Sequence, residues 1–279
     1  MKPVFQHITV PVDGSTTSER GVAFALELAR DGGRVSFCSV VDPMLVCTPA
    51  AYGASIDPAP MLGVLDDDAA TFCRSASERA GKAGVAADTT VLHGACVAQI
   101  DDFAERNGSD AIVIGTNGRT GFSRAVLGSV TEGILRRATM PVVAVHRDDQ
   151  MRTGPLAVAI DDSPAARAAL DVAIGIAAAR GIPILLLHAC GAKSDTAAVN
   201  AMLDRARERA RLRGVIAQTV VHEGPAAETL AHEAEERDCC MVVIGTHGRS
   251  ELRRLLLGSV AAAVLERAHV PVVTVRCAA

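Results

Sequence analysis

Ala111-Ile112-Val113-Ile114-Gly115-Thr116-Asn117-Gly118-Arg119 recurs as Met241-Val242-Val243-Ile244-Gly245-Thr246-His247-Gly248-Arg249. Four apolar residues, a glycine and a second glycine three places on describe a buried strand running into a tight loop. Two more stretches repeat at the same spacing of 130 residues. Leu127-Gly128-Ser129-Val130 returns as Leu257-Gly258-Ser259-Val260. Arg137-Ala138-Thr139-Met140-Pro141-Val142-Val143 returns as Arg267-Ala268-His269-Val270-Pro271-Val272-Val273. Further upstream, Val12-Asp13-Gly14-Ser15 matches Ile160-Asp161-Asp162-Ser163 at a spacing of 148. The chain is two copies of one unit. Copy two is about 18 residues shorter between these markers, and a loss of that size falls in a loop. The polar run Arg147-Asp148-Asp149-Gln150 and the turn signal Gly154-Pro155 mark the boundary, giving units at 1–148 and 152–279.

Outward from the quoted strand, each copy alternates strand and helix. In copy one, Ile8–Val12 reads as the first strand. Ser15 and Thr16 are candidate helix caps, and Thr16 with Glu19 has capping-box spacing. The helix continues to about Arg30, with Val22, Ala25, Leu26 and Ala29 on one face. Strand Val35–Val41 follows Gly32-Gly33, then a helix over about Asp66–Lys82 and a strand at Thr89–Leu92. Ala95–Asn107 is helical, Ala111–Ile114 a strand, Gly128–Ala138 helical and Val142–Val145 the last strand. In copy two Ser163 caps a helix that starts at Pro164, where a missing N–H costs nothing. Strands alternating with helices imply right-handed crossovers, and continuous apolar strands imply a sheet covered on both faces. The expected fold is α/β, with two doubly wound five-stranded parallel-sheet domains. Val142–Val145 and Val272–Val275 would be aggregation-prone as bare edges. Mutual antiparallel pairing of the two would make the chain an internal pseudo-dimer.

The chemistry gathers after the fourth strand. Copy one has Gly115-x-x-Gly118, nine residues, then Gly128-Ser129; copy two has Gly245-x-x-Gly248, nine residues, then Gly258-Ser259. Glycines allow close backbone approach to an anion and positive φ. A glycine-serine pair at a helix start presents unpaired N–H groups and the positive end of the dipole. Asp13 ends the first strand beside this place, where it suits an amino or ribose hydroxyl group better than a phosphate. There is no GxxxxGK[ST] and no GxGxxG after the first strand, so neither a P-loop nor a dinucleotide fold is indicated.

On these residues the chain resembles a tandem universal stress protein, over nearly all of its length. The resemblance implies an adenine nucleotide alpha hydrolase-like fold that binds ATP, with Mg²⁺ accompanying the triphosphate. It implies adenine held by Asp13 and the Val41 backbone, and ribose and phosphates approached by Gly115 and Gly118. Gly128, Ser129 and Val130 then lie at the phosphates. By matching position, copy two would use Asp161, Cys190, Gly245, Gly248, Gly258, Ser259 and Val260. Arg119 and Arg249 complete the two binding sets. Copy two departs from the pattern at Asp162 for Gly14, His247 for Asn117 and Ser250-Glu251 for Thr120-Gly121. Added carboxylates oppose a triphosphate, while Arg249, Arg253 and Arg254 could offset them.

Composition narrows the remaining classes. The chain has 279 residues, 49% apolar and 22% charged, with net charge −4. That excludes a disordered chain and a global basic field for nucleic acid. Aromatic content is 3%, with no Trp and one Tyr, so the core is Ala, Val, Leu and Ile. Val172–Ala192 is the most apolar stretch, and Arg180-Gly181-Ile182-Pro183 divides it. Neither half approaches the ~20 residues of a membrane span, so it reads as a buried helix face followed by a buried strand. No signal-peptide pattern follows Met1, and the expected place is the cytoplasm. Eight cysteines form no CxxC pair, and they read as reduced thiols. Eight histidines show no metal-ligand spacing, and none is assigned to a metal. Arg205, Arg207, Arg209, Arg211 and Arg213 scatter around one helix as a solvated face rather than a nucleic-acid stripe.

Residues 43–64 lengthen the loop after the second strand of copy one, as a lid on the adenine side or as a surface excursion. No nucleophile elbow or water-activating carboxylate is evident, so no residue is assigned as catalytic. The leading expectation is an ATP-binding stress-response protein with slow or no turnover. In it, nucleotide occupancy sets the Gly118–Gly128 loop and so the binding of a protein partner. A slow ATPase or nucleotidyl- or phosphotransferase is the enzyme alternative; a non-nucleotide dimeric scaffold is the third. Whether two chains pair into a homodimer is left open by the sequence.

Overall fold

The computed structural model describes residues 5–44, 59–117, 127–149, 152–191, 194–246 and 257–277. Copy one runs β1 (His7–Pro11), α1 (Thr16–Ala29), β2 (Arg34–Val41), α2 (Ala59–Ala83), β3 (Ala86–His93), α3 (Cys96–Arg106), β4 (Ala111–Gly115), α4 (Ser129–Arg137) and β5 (Val142–Val145). Copy two runs β6 (Leu156–Ala159), α5 (Pro164–Arg180), β7 (Ile184–Cys190), α6 (Thr196–Arg211), β8 (Ala217–Glu223), α7 (Ala226–Glu236), β9 (Met241–Gly245), α8 (Ser259–Arg267) and β10 (Val272–Val275). The ten strands form one sheet in the order β3-β2-β1-β4-β5-β10-β9-β6-β7-β8. Within each copy every neighbouring pair is parallel. β5 and β10 pair antiparallel, with Val143 opposite Val273. The two would-be edges thus satisfy each other's N–H and C=O groups, and the chain is an internal pseudo-dimer.

The strands are buried because helices cover both faces. Val22, Ala25 and Ala29 of α1, Cys73 and Ala76 of α2, and Ala169, Ala173 and Ile176 of α5 pack in one core. Ile100 of α3, Ile134 and Leu135 of α4, Leu230 of α7 and Leu265 of α8 pack in the other. Each core spans both copies. Side chains also cross the junction: His146 Nε2 donates to the Leu265 carbonyl at 2.6 Å. At the matching place Arg276 donates to the carbonyls of Leu135 and Arg136. A cation there complements the carbonyl end of α4.

Several local expectations need correction. Ser15 alone caps α1, its Oγ accepting from Ser18 N at 3.1 Å. Thr16 is the first helical residue, so no Thr16–Glu19 box forms. Helix α2 starts at Ala59 rather than near Asp66, taking the end of the 43–64 segment into the helix. Residues 45–58 lie outside the described residues, and with them Cys47 and most of the expected lid. Ser163 caps α5 as expected, accepting from Ala166 N at 3.1 Å ahead of Pro164. Val172–Ala192 divides into the end of α5 and β7. Among the described residues no helix is long and apolar enough to cross a membrane. Seven cysteines are described and all are free, the Cys239-Cys240 neighbours included. Burial pushes the Cys73 thiol up to about 11 and Cys239 up to about 12, so both stay protonated near neutrality.

Candidate functional site

In each copy the strand order reverses direction at the first strand. From β1 the chain builds outward through β2 and β3, then returns to β4 on the other side. The crevice at the carboxyl ends of β1 and β4 is the topological switch point, where open α/β sheets bind ligands. Copy one has there a cavity of about 400 Å³. It brings together Asp13, Val41, Gly115, Gly128, Ser129 and Val130. Gly118 and Arg119 lie outside the described residues.

The floor of the cavity is built from local hydrogen bonds. Asp13 ends β1, and its Oδ1 accepts from Ser15 N at 3.0 Å, turning the chain into α1. The first turn of α1 then presents Thr17, whose hydroxyl donates to the Asn117 carbonyl. Thr131 Oγ1 donates to the Gly115 carbonyl at 2.7 Å, and Gly128 N donates to the Thr116 carbonyl at 2.8 Å. These bonds tie both ends of the glycine connection to the sheet. Helix α4 begins at Gly128 with no side-chain cap, and its first internal bond is Glu132 N to Gly128 O. Among the described residues, nothing accepts from the N–H groups of Ser129, Val130 and Thr131. Open donors at the positive end of a helix dipole favour negative charge.

The glycines work differently from one another. Gly128 and Gly258 have φ of −63° and −61°, so positive φ is not their role; lack of a side chain keeps the helix start open. A Cβ on Gly115 would lie 2.7 Å from the Thr17 carbonyl carbon, and one on Gly245 would lie 2.7 Å from that of Ala165. These two glycines let α1 and α5 sit directly on β4 and β9. Gly14 does need its positive φ of 76°, and a Cβ there would meet the Phe72 ring at 2.4 Å.

The remaining wall of copy one is apolar over Val40 and Cys38 from β2, Leu65, Ala69 and Phe72 from α2, and Ile100, with Ser39 and Asp42 beside them. Burial drives the Cys38 thiol far above its ordinary value. Cys96, at the mouth, is raised by burial and by Asp42 and Asp13. Sequence reasoning did not single out Phe72 or Thr17. The matched pair Phe72 and Met202, in a chain with six phenylalanines, was the available signal for the first; nothing local marked the second.

Copy two has a smaller cavity of about 250 Å³ at the same place. It brings together Asp161, Gly245, Gly258, Ser259 and Val260. Helix α8 starts at Gly258 without a side-chain cap, as α4 does. Cys190 does not line this cavity. Its carbonyl accepts from Gly224 N as that of Val41 accepts from Gly94 N, so the match with Val41 is in backbone position alone. Gly248, Arg249, His247, Ser250, Glu251, Arg253 and Arg254 lie outside the described residues. Asp162 adopts the left-handed backbone of its counterpart Gly14, with φ of 64°, a conformation Asp tolerates better than most residues. Its carboxylate is paired with Arg167 at 3.2 Å and Arg205 at 3.3 Å, partners the sequence did not suggest. Arg207, Arg209 and Arg211 pair with Asp204, Asp171 and Glu208.

A doubly wound sheet with an uncapped glycine-serine helix start at its switch point, present twice, defines a tandem α/β protein with two matching crevices. The model of the universal stress protein family matches residues 5–146 and again residues 153–276. The chain belongs to that family. A universal stress protein of Mycobacterium tuberculosis is 34% identical over 188 residues, covering 61% of this chain and 63% of that protein. One from Mycolicibacterium smegmatis is 28% identical over 298 aligned positions, covering 96% of each. The crystal structure of a universal stress protein from Archaeoglobus fulgidus shares the fold at a TM-score of 0.77, with 21% identity over 98% of this chain and 97% of that one.

Proposed function

We propose that copy one binds ATP, with Mg²⁺ carried on the phosphates, and acts as a cytoplasmic nucleotide sensor with little or no turnover. The observation that carries this reading is one cavity that joins three open helix N–H donors to an apolar pocket with an acceptor. The N–H groups of Ser129, Val130 and Thr131 suit phosphate oxygens. The apolar wall around Phe72 and Val40 suits a purine face, and Asp13 suits an amino or hydroxyl donor. A volume of about 400 Å³ is within the usual range for small-molecule sites. Gly128 belongs to the phosphate end and the Val41 backbone to the adenine end; Gly118 and Arg119, outside the described residues, are assigned to the phosphate end by the sequence motif alone.

Copy two keeps the phosphate end through Gly245, Gly258, Ser259 and Val260, and the sequence motif assigns Gly248 and Arg249 to it. Asp161 and the Cys190 backbone match the adenine end. Occupancy acts on a protein partner only as far as ATP binds two conformations with different affinity. Isothermal titration of nucleotide-stripped protein with ATP and Mg²⁺ tests the assignment. A site present in the natural chain and lost in Gly128→Val supports it. Equal affinity in both proteins removes the site from copy one.

A further inference from the structure

We infer that copy two is a guanine-nucleotide site, so that the chain carries two nucleotide sites of different base specificity. The inference rests on the reading that the start of α8 holds phosphate. It concerns the other end of that cavity, where copy two has been rebuilt.

The rebuilding centres on His188. Val12 N donates to the Cys38 carbonyl, and Ile160 N donates to that of Leu187. Leu187 therefore stands where Cys38 does, and His188 stands where copy one has Ser39. His188 is only 9% exposed. Its Nδ1 lies 2.6 Å from the Ile160 carbonyl oxygen. A carbonyl only accepts, so Nδ1 holds a proton, and in the tautomer this fixes Nε2 is the lone-pair nitrogen. Among the described residues nothing pairs with Nε2. Nε2 stays open to the cavity, so water meets it in the free protein and an entering ligand would replace that water.

The surroundings show which ligand. His188, Asp161 and Ala189 line both the inner cavity and an adjoining outer cavity of about 580 Å³. The outer cavity runs along α6, past Asp195 and Met202, to Arg205. Val85 N donates to Ala80 O, and Val215 N donates to Ala210 O; that register puts Met202 in the place of Phe72 and Asp195 in that of Leu65. Copy two has thus exchanged the aromatic Phe72 and Leu65 for Met202 and Asp195, and Ser39 for His188, while Gly191 stands in the place of Asp42. A base there is read by its edge more than by its face. Two acceptors line the junction, His188 Nε2 and the Asp161 carboxylate, whose Oδ1 also accepts from Ser163 N at 3.0 Å; beyond them lies the Arg205 guanidinium, ion-paired with Asp162 at 3.3 Å. Guanine presents two neighbouring donors, N1–H and the 2-amino group, beside the O6 acceptor. Adenine presents one amino donor beside the bare N1, which would set lone pair against lone pair at His188. An acceptor left facing a lone pair, as His188 Nε2 would be, is what makes a polar site selective.

Calorimetric titration of the full chain with GTP and with ATP, each with Mg²⁺, decides the matter. One ATP and one GTP per chain are expected, each binding without displacing the other. His188→Ser, which installs the copy-one residue, is expected to weaken GTP about tenfold and leave ATP unchanged. Retained ATP binding shows that the variant is folded, since both copies share one sheet. Asp161→Asn, which exchanges an acceptor for a donor, is the second variant and is expected to weaken GTP likewise. GTP competing with ATP for a single site, or ATP filling two sites per chain, overturns the inference while leaving phosphate binding intact. ATP at one site with no GTP binding overturns it too. Binding of neither nucleotide would sink the proposed function itself.

Discussion

Copies one and two share a backbone plan and differ in what lines it. Both begin the critical helix at an uncapped glycine, and both press α1 or α5 against a glycine that ends the fourth strand. What differs lies on the base side. Copy one closes its cavity with Phe72 and Leu65 from a 25-residue helix; copy two has Met202 on a 16-residue helix capped by Asp195, with a second cavity opened beside it. Glycines that admit a helix or leave its first N–H groups bare serve any phosphate-bearing ligand. The residues that recognise the rest are free to diverge without disturbing the sheet.

The common part breaks most severely. Gly115→Val and Gly245→Val each force a side chain into the backbone of the covering helix. Each is expected to cost at least about 3 kcal/mol in denaturant unfolding, and to similar extents in the two copies. A loss below about 1 kcal/mol in either copy would mean that the close approach is not required there. Next comes Gly128→Val, whose extended backbone accepts a side chain. ATP affinity should fall about a hundredfold with far less effect on stability, separating the helix-start glycine from the packing glycine. Phe72→Met transplants the copy-two wall into copy one, and ATP should weaken about five- to tenfold. An unchanged dissociation constant would show that the aromatic wall does not distinguish the copies.

How much of this could be read beforehand follows from the same division. The repeats, the strand order and the mutual pairing of β5 and β10 are encoded in local apolar runs and their spacing, so Val142–Val145 and Val272–Val275 announced themselves. Asp13, Gly128 and Ser129 were legible because a strand end and a helix start have local signatures. Phe72 and His188 were not, because their roles depend on packing across elements distant in sequence. Gly115 was legible as a glycine but not in its purpose, since the residue it admits, Thr17, lies 98 positions away. The early start of α2 at Ala59 was hidden by Pro60 and Gly63, which the sequence presents as loop.

The smallest expected difference is in acid. Buried His7 donates from Nε2 to Ser36 Oγ at 2.7 Å, and Arg34 reaches its Nδ1 at 2.9 Å. Burial and then Arg34 hold its pKa below the ordinary 6.5. The unfolded chain therefore takes up the proton first, and stability falls as pH drops through about 6.5 toward the lower folded value. Copy two has Pro155 at the matching position. His7→Asn should flatten this part of the pH dependence of thermal unfolding; an unaltered slope would place the acid sensitivity elsewhere.

The claim that the two copies share a phosphate cradle but differ in base recognition is tested most directly by photo-crosslinking with 8-azido-ATP and peptide mapping. The label is expected on copy one, in peptides carrying the end of β2 or Phe72 of α2, and excess ATP should abolish it. Equal labelling of the matching peptides of copy two, around Cys190 and Met202, would contradict the account.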